Sequence, residues 1–197
     1  MASISKQGFT KQQLPMILTT FRMALTVPVV LLMIPNSMPW NIVSIFVFFI
    51  ASITDYFDGY YARKYGAITN MGKFMDPIAD KILVSSILMM LLFRGSIDPW
   101  MVMIVIARDT LVGGIRSVAA ADRIVIAAKS AGKWKTALQM LCIPALIIGN
   151  ITFANGHVFA LGTIGYIILW VTVGLSVWSG VEYFVFFWRA RQNPTNP

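Results

Sequence analysis

The sequence predicts an all-α fold that crosses a membrane six times, with both termini in the cytoplasm, and three observations lead there. Of the 197 residues, 57% are hydrophobic and 12% charged, with a mean hydropathy of +0.72, whereas a soluble domain carries about a quarter charged residues. That composition excludes a water-soluble globule. It equally excludes a disordered chain, which needs low hydrophobicity and high charge. Second, six apolar segments are each long enough to span a bilayer core of about 30 Å. Third, the sixteen Lys and Arg are spread so unevenly between the connections that they set an orientation.

The segments follow in order. Leu14–Ile34 is preceded by Lys6 and Lys11 but is no signal peptide: it is too long, contains Arg22 and lacks an A-x-A-like cleavage site. Pro35–Pro39 supplies the turn into Trp40–Arg63. Gly72–Phe93 is the third, with Pro77 near its start, where a missing backbone donor costs little. Arg94–Asp98 turns the chain into Pro99–Ala120, and Trp134–Thr152 and Val158–Phe187 complete the set. No linker or repeat divides residues 1–197, so a single domain with a short polar tail (190–197) is expected. The one cysteine, Cys142, has no partner for an internal disulfide and is expected to serve packing.

Lys6, Lys11, Arg63, Lys64, Lys73, Arg123, Lys129, Lys133, Lys135, Arg189 and Arg191 fall in the termini and alternate connections, while the other side holds only Arg94. The positive-inside rule then puts both termini in the cytoplasm of a multi-pass cell-membrane protein. Trp40 and Trp100 mark outer span ends and Trp134 and Trp188 inner ones, as an aromatic belt requires. His157 falls in an outer loop. A net charge of +8 points to nucleic acid, anionic lipid or a phosphorylated ligand. In so apolar a chain the lipid and the ligand lead, and no nucleic-acid partner is expected.

Arg22, Lys81, Arg108 and Arg116 lie inside spans, together with Asp76, Asp80, Asp109 and Glu182. Intramembrane charges are rare and by default mark a functional site; structural ion pairs that fix helix packing are an equal reading for a single pair, and the lesser one for this many. Only eight acids exist in the chain, and four of them, Asp55, Asp58, Asp76 and Asp80, fall within a short stretch. At a rise of about 1.5 Å per residue, Asp55 lies about 22 Å below Trp40 and Asp80 about 20 Å below Phe93, both near the inner edge of the apolar layer. The i, i+3 and i, i+4 spacings put each pair on one helix face. Four clustered carboxylates repel one another and need cations to stay ionised. An all-oxygen set favours hard divalent ions, and a two-metal site of this kind clamps phosphate oxygens during displacement. Gly59, Ala62 and Gly72 are small neighbours that let a bulky group approach the backbone.

Asp55-Tyr-Phe-Asp58-Gly59-Tyr-Tyr-Ala62-Arg63, a spacer, then Gly72-Lys-Phe-Met-Asp76-Pro-Ile-Ala-Asp80 resembles the signature of the CDP-alcohol phosphotransferases, D-x-x-D-G-x-x-A-R followed by G-x-x-x-D-x-x-x-D, at every fixed position. Leu14-Pro15 with Thr19 and Arg22, Ala107-Arg108-Asp109 with Arg116, Gly132-Lys-Trp-Lys135-Thr136 and Ser179-Gly-Val-Glu-Tyr-Phe184 extend the likeness to its bacterial branch that uses glycerol 3-phosphate. Met16 and Asp109 depart from that branch, which usually has Asn and Glu there.

The resemblance implies a six-helix, usually homodimeric membrane enzyme moving a phosphatidyl group from CDP-diacylglycerol to an alcohol with release of CMP. It implies that Asp55, Asp58, Asp76 and Asp80 hold two divalent ions, Mg2+ or Mn2+, and that Asp80 also takes the acceptor's proton. Gly59, Ala62, Arg63 and Gly72 would bind the CDP portion. Arg108, Arg116, Lys133 and Lys135 suit the phosphate of a phosphorylated alcohol. Glycerol 3-phosphate fits best, inositol phosphate is the nearest rival, and inositol and serine are further alternatives. An ion-coupled transporter would instead place its acids near the midplane, between repeats.

Overall fold

The computed structural model describes residues 9–65, 70–121, 130–149 and 157–192, which form six helices and, among the described residues, no strand. They are α1 (Phe9–Met33), α2 (Met38–Tyr65), α3 (Asn70–Phe93), α4 (Pro99–Ala121), α5 (Ser130–Gly149) and α6 (His157–Gln192). Each expected segment falls on one helix. The ends differ because hydropathy marks only the apolar stretch, while the backbone ladder continues into polar flanks. Thus α1 opens at Phe9, before the apolar run, and α6 runs on to Gln192, into the polar tail. His157, expected in a loop, is the first residue of α6. Leu161–Gln192 is the one stretch of described residues long and apolar enough to cross a membrane by itself. The apolar stretches Thr19–Met33, Met38–Thr54, Lys81–Phe93 and Trp134–Gly149 are shorter.

Local chemistry sets the helix ends. After α1, Pro35 cannot continue the ladder, and Asn36 takes the left-handed conformation (φ 48°) that turns the chain into α2. After α3, Gly95 has φ 70°. Its N–H bonds Leu92 O at 2.9 Å and the Ser96 N–H bonds Leu91 O at 3.0 Å, which is a Schellman termination. Asp98 then caps α4, its carbonyl accepting from Met101 N at 3.2 Å. Pro99 at the first helical position suits a site whose N–H has no partner. The Asp98 carboxylate also accepts the Tyr166 hydroxyl of α6.

The chain divides into two compact units, Met1–Ile87 and Leu88–Pro197. In the first, α1 and α2 pack as an antiparallel hairpin, and buried Ser44 Oγ donates to Val29 O at 3.0 Å. Val29, Met33, Phe48, Ala51, Ala79 and Leu83 are buried there, and so are Thr19, Arg22 and Thr26.

In the second unit α6 packs on both α4 and α5. Trp100 and Trp170 meet edge to face, with ring centroids 4.8 Å apart. The α5–α6 crossing is close because it is built on glycine. A methyl group on Gly149 would overlap the Gly162 backbone, and one on Gly165 would come within 3.0 Å of Leu146. Without an aqueous hydrophobic drive, membrane helices associate through such close packing. Gly149→Ala is therefore expected to lower stability by about 2 kcal/mol, through overpacking. Gly174 has nothing within 4 Å of an added methyl, so Gly174→Ala should leave the thermal midpoint of the detergent-solubilised protein unchanged. Equal midpoints for both variants would contradict the close crossing.

Candidate active site

The acid-rich motif lies towards the C-terminal end of one helix and the N-terminal end of the next. Asp55 and Asp58 belong to α2, and Asp76 and Asp80 to α3. Asp55 is ten residues before the end of α2 and Asp80 ten residues after the start of α3, about 15 Å along each axis. The side chains of Asp55, Asp58, Gly59, Ala62, Arg63, Gly72, Asp76, Asp80 and Lys133 lie outside the described residues. No group of three or more His, Cys, Asp or Glu able to hold a metal occurs among the described residues. The Ser44–Val29 bond sets the register of α1 against α2. Counting seven residues from each partner puts fully buried Arg22 level with Ala51, about one helical turn from Asp55.

The second unit assembles a charged cluster from three helices. Asp109 on α4 shares one carboxylate oxygen, Oδ1, between two cations. Arg108 Nη1 donates to it at 3.0 Å, and Lys135 Nζ of α5 pairs with the same atom. On α6, Ser179 Oγ accepts from Arg108 Nε at 3.2 Å and from Nη2 at 2.7 Å. The Ser179 hydroxyl donates in turn to Ser176 O at 3.2 Å. The side chains of Arg108, Asp109 and Lys135 are 13%, 18% and 3% exposed. Charges this far from water require pairing, because an isolated buried ion costs many kcal/mol.

Glycines make room for the arginine. A methyl on Gly180 would stand 3.2 Å from Arg108 Cγ, and one on Gly132 would stand 3.8 Å from Nη2. One turn beyond Lys135, the amide Nε2 of buried Gln139 has no hydrogen-bond partner among the described residues.

Of the four basic residues expected to serve an acceptor phosphate, the structure brings Arg108 and Lys135 together. Arg116 is exposed on α4, and Asp109 pairs with Arg108 and Lys135 instead. Eight residues are about 2.2 turns, so Arg116 points about 80° away from Arg108 around the helix. The Asp109 departure acquires a role: this short acid, next to Arg108 in the chain, bridges it to Lys135. Ser179 and Gly180 were absent from the expected site. Their signal in the sequence is the Ser179-Gly-Val-Glu-Tyr-Phe184 stretch of the family likeness, and Ser179 shares one buried face of α6 with Thr172 and Ser176.

The family model for CDP-alcohol phosphatidyltransferases matches residues 12–178. The chain belongs to the CDP-alcohol phosphatidyltransferase family. It is similar to a Rickettsia bellii protein, 36% identical over 173 residues, covering 88% of this chain and 94% of the relative. A Rickettsia typhi protein is 38% identical over 175 residues, covering 88% and 96%. A Bacillus subtilis protein is 44% identical over 144 residues, covering 73% and 72%. All three are named CDP-diacylglycerol–glycerol-3-phosphate 3-phosphatidyltransferase. CDP-alcohol phosphatidyltransferases are membrane-associated phospholipid enzymes that generally depend on a divalent metal. The four-carboxylate motif is a hard, all-oxygen donor set that suits such an ion.

In this CDP-alcohol phosphatidyltransferase, Asp109→Leu would leave two buried cations without their shared counter-ion, at a cost of about 3 kcal/mol. Asp109→Glu keeps the charge and should cost less than half as much. Thermal unfolding in detergent checks the order, and equal midpoints for the two variants would show that the charge is immaterial.

Proposed function

We propose that the chain transfers a phosphatidyl group from CDP-diacylglycerol to sn-glycerol 3-phosphate, giving phosphatidylglycerophosphate and CMP in anionic phospholipid synthesis. The observation that carries the acceptor is the buried Arg108–Asp109–Lys135 cluster. Arg108 and Lys135 share the Asp109 carboxylate, and the Arg108 fork also reaches Ser179, which sets a guanidinium within the bundle. A phosphomonoester supplies oxygens that arginine can bind in pairs. Gly132 lies in the first turn of α5 beside Arg108 Nη2. A phosphate there would also meet the unpaired N–H groups of a helix N-terminus. Lys133 enters at the same place, and Arg116 lies further along α4 as a second cation on the acceptor's approach.

Asp55, Asp58, Asp76 and Asp80 would hold two divalent ions, Mg2+ or Mn2+, which supply charge neutralisation on the diphosphate. Gly59, Ala62, Arg63 and Gly72 would receive the CDP portion. Asp80 accepts the proton of the acceptor hydroxyl. That oxygen forms a bond to the phosphatidyl phosphorus, and the bond to the CMP oxygen breaks, its electron pair leaving with CMP. The equal distances of Asp55 and Asp80 from the facing ends of α2 and α3, across a connection of four residues (66–69), support a site shared by the two helices.

Further support for this reading comes from the distribution of basic residues. It favours six spans, cytoplasmic termini and an active site facing the cytoplasm, in one domain that pairs as a homodimer, as is usual for the family.

Purified protein assayed with CDP-diacylglycerol should release CMP with glycerol 3-phosphate, and chelation with EDTA should abolish the release until Mg2+ or Mn2+ is restored. Asp80→Asn should lose at least about a hundredfold in kcat, in keeping with a general base. Release with inositol phosphate, inositol or serine but not glycerol 3-phosphate would assign another acceptor. No release with any of them would overturn the reading.

A further inference from the structure

We infer that Ser179 is a positioning residue for the acceptor step, acting through Arg108, and that Ser179 and Gly180 together form a clasp that aims the guanidinium without neutralising it. The inference rests on the proposal that Arg108 binds the acceptor phosphate. A guanidinium carries five N–H donors. Ser179 Oγ takes one from Nε and one from Nη2, and Asp109 takes one from Nη1. One N–H on Nη1 and one on Nη2 therefore remain for a ligand. The Ser179 oxygen grips the same edge of the fork that a carboxylate would grip, but it is neutral. Arginine thus gains a fixed direction without a second carboxylate to offset its charge.

The hydroxyl is itself held. Its hydrogen goes to Ser176 O, so its lone pairs face Arg108, and Ser179 is fully buried. Gly180 completes the clasp by leaving space for the arginine stem, with Cγ 3.2 Å from the position a methyl would take. A long, rotamer-rich side chain held at head and stem loses less freedom when its ligand arrives, and that appears directly in affinity. Asp109 alone could not do this, because it is bound to Lys135 through the same oxygen.

The test is steady-state CMP release by the purified enzyme with Mg2+, varying glycerol 3-phosphate at saturating CDP-diacylglycerol and then the reverse. Ser179→Ala should raise KM for glycerol 3-phosphate about tenfold, the scale of hydrogen bonds to a charged group, and leave KM for CDP-diacylglycerol within about twofold. Ser179→Cys, equal in size but a weak acceptor, should fall between Ser179→Ala and the parent, and it decides the matter if the alanine variant does not fold. Arg108→Lys should raise the same KM, and adding Ser179→Ala to it should raise it no further, since lysine has no fork to aim.

An unchanged KM for glycerol 3-phosphate in the Ser179 variants, with Arg108→Lys still affected, overturns the clasp alone. So does a double variant in which the two effects multiply. If Arg108→Lys alters only the KM for CDP-diacylglycerol, the acceptor role of Arg108 fails, and the clasp fails with it.

Discussion

One carboxylate oxygen shared by an arginine and a lysine organises the second unit of the molecule. Neither cation can reach water easily, so each must be satisfied by protein, and Asp109 cannot satisfy both completely. The surroundings follow from that constraint. Arg108 needs a further acceptor, which α6 provides as Ser179. Its stem needs space, which Gly180 leaves, and its Nη2 end lies beside Gly132. Lys135 must enter from the first turns of α5, and α6 must pack against both neighbours for all of these groups to meet. A close α5–α6 crossing through Gly149, Gly162 and Gly165 is consistent with that demand, because closely packed backbones allow few side-chain placements.

The first unit obeys a complementary rule. All four of its acids lie towards the C-terminal end of α2 and the N-terminal end of α3. Carboxylates at such density are stable only with cations from outside the chain or from neighbouring helices. Buried Arg22, level with Ala51 and about a turn from Asp55, is the nearest fixed positive charge that the α1–α2 register identifies. Each unit carries more basic than acidic residues, seven against four in the first and nine against four in the second.

Much of this was legible in the chain itself. Hydropathy located the six helices to within a few residues, because a helix surrounded by lipid or packed in a bundle is apolar for most of its length. The acid motif was legible because its spacings are local: i, i+3 and i, i+4 relations survive whatever the tertiary fold does. Arg108 and Lys135 stood out as charges in apolar surroundings. Arg116 stood out for the same reason, yet it is exposed, since eight residues along a helix do not return to the same face. His157 was misplaced by a residue or two because polar character does not mark where a backbone ladder begins.

By itself, the sequence determined the all-helical architecture, the family motif and the identity of the charged groups, all consequences of composition and short-range periodicity. Only the tertiary structure decided which of those charges meet. Ser179 lies 71 residues from Arg108, and Lys135 lies 26 from Asp109, and no local pattern encodes such pairings. They arise because α4, α5 and α6 bury their polar residues against one another. In an apolar interior, the free energy of an unpaired donor or charge is large enough to choose the partner.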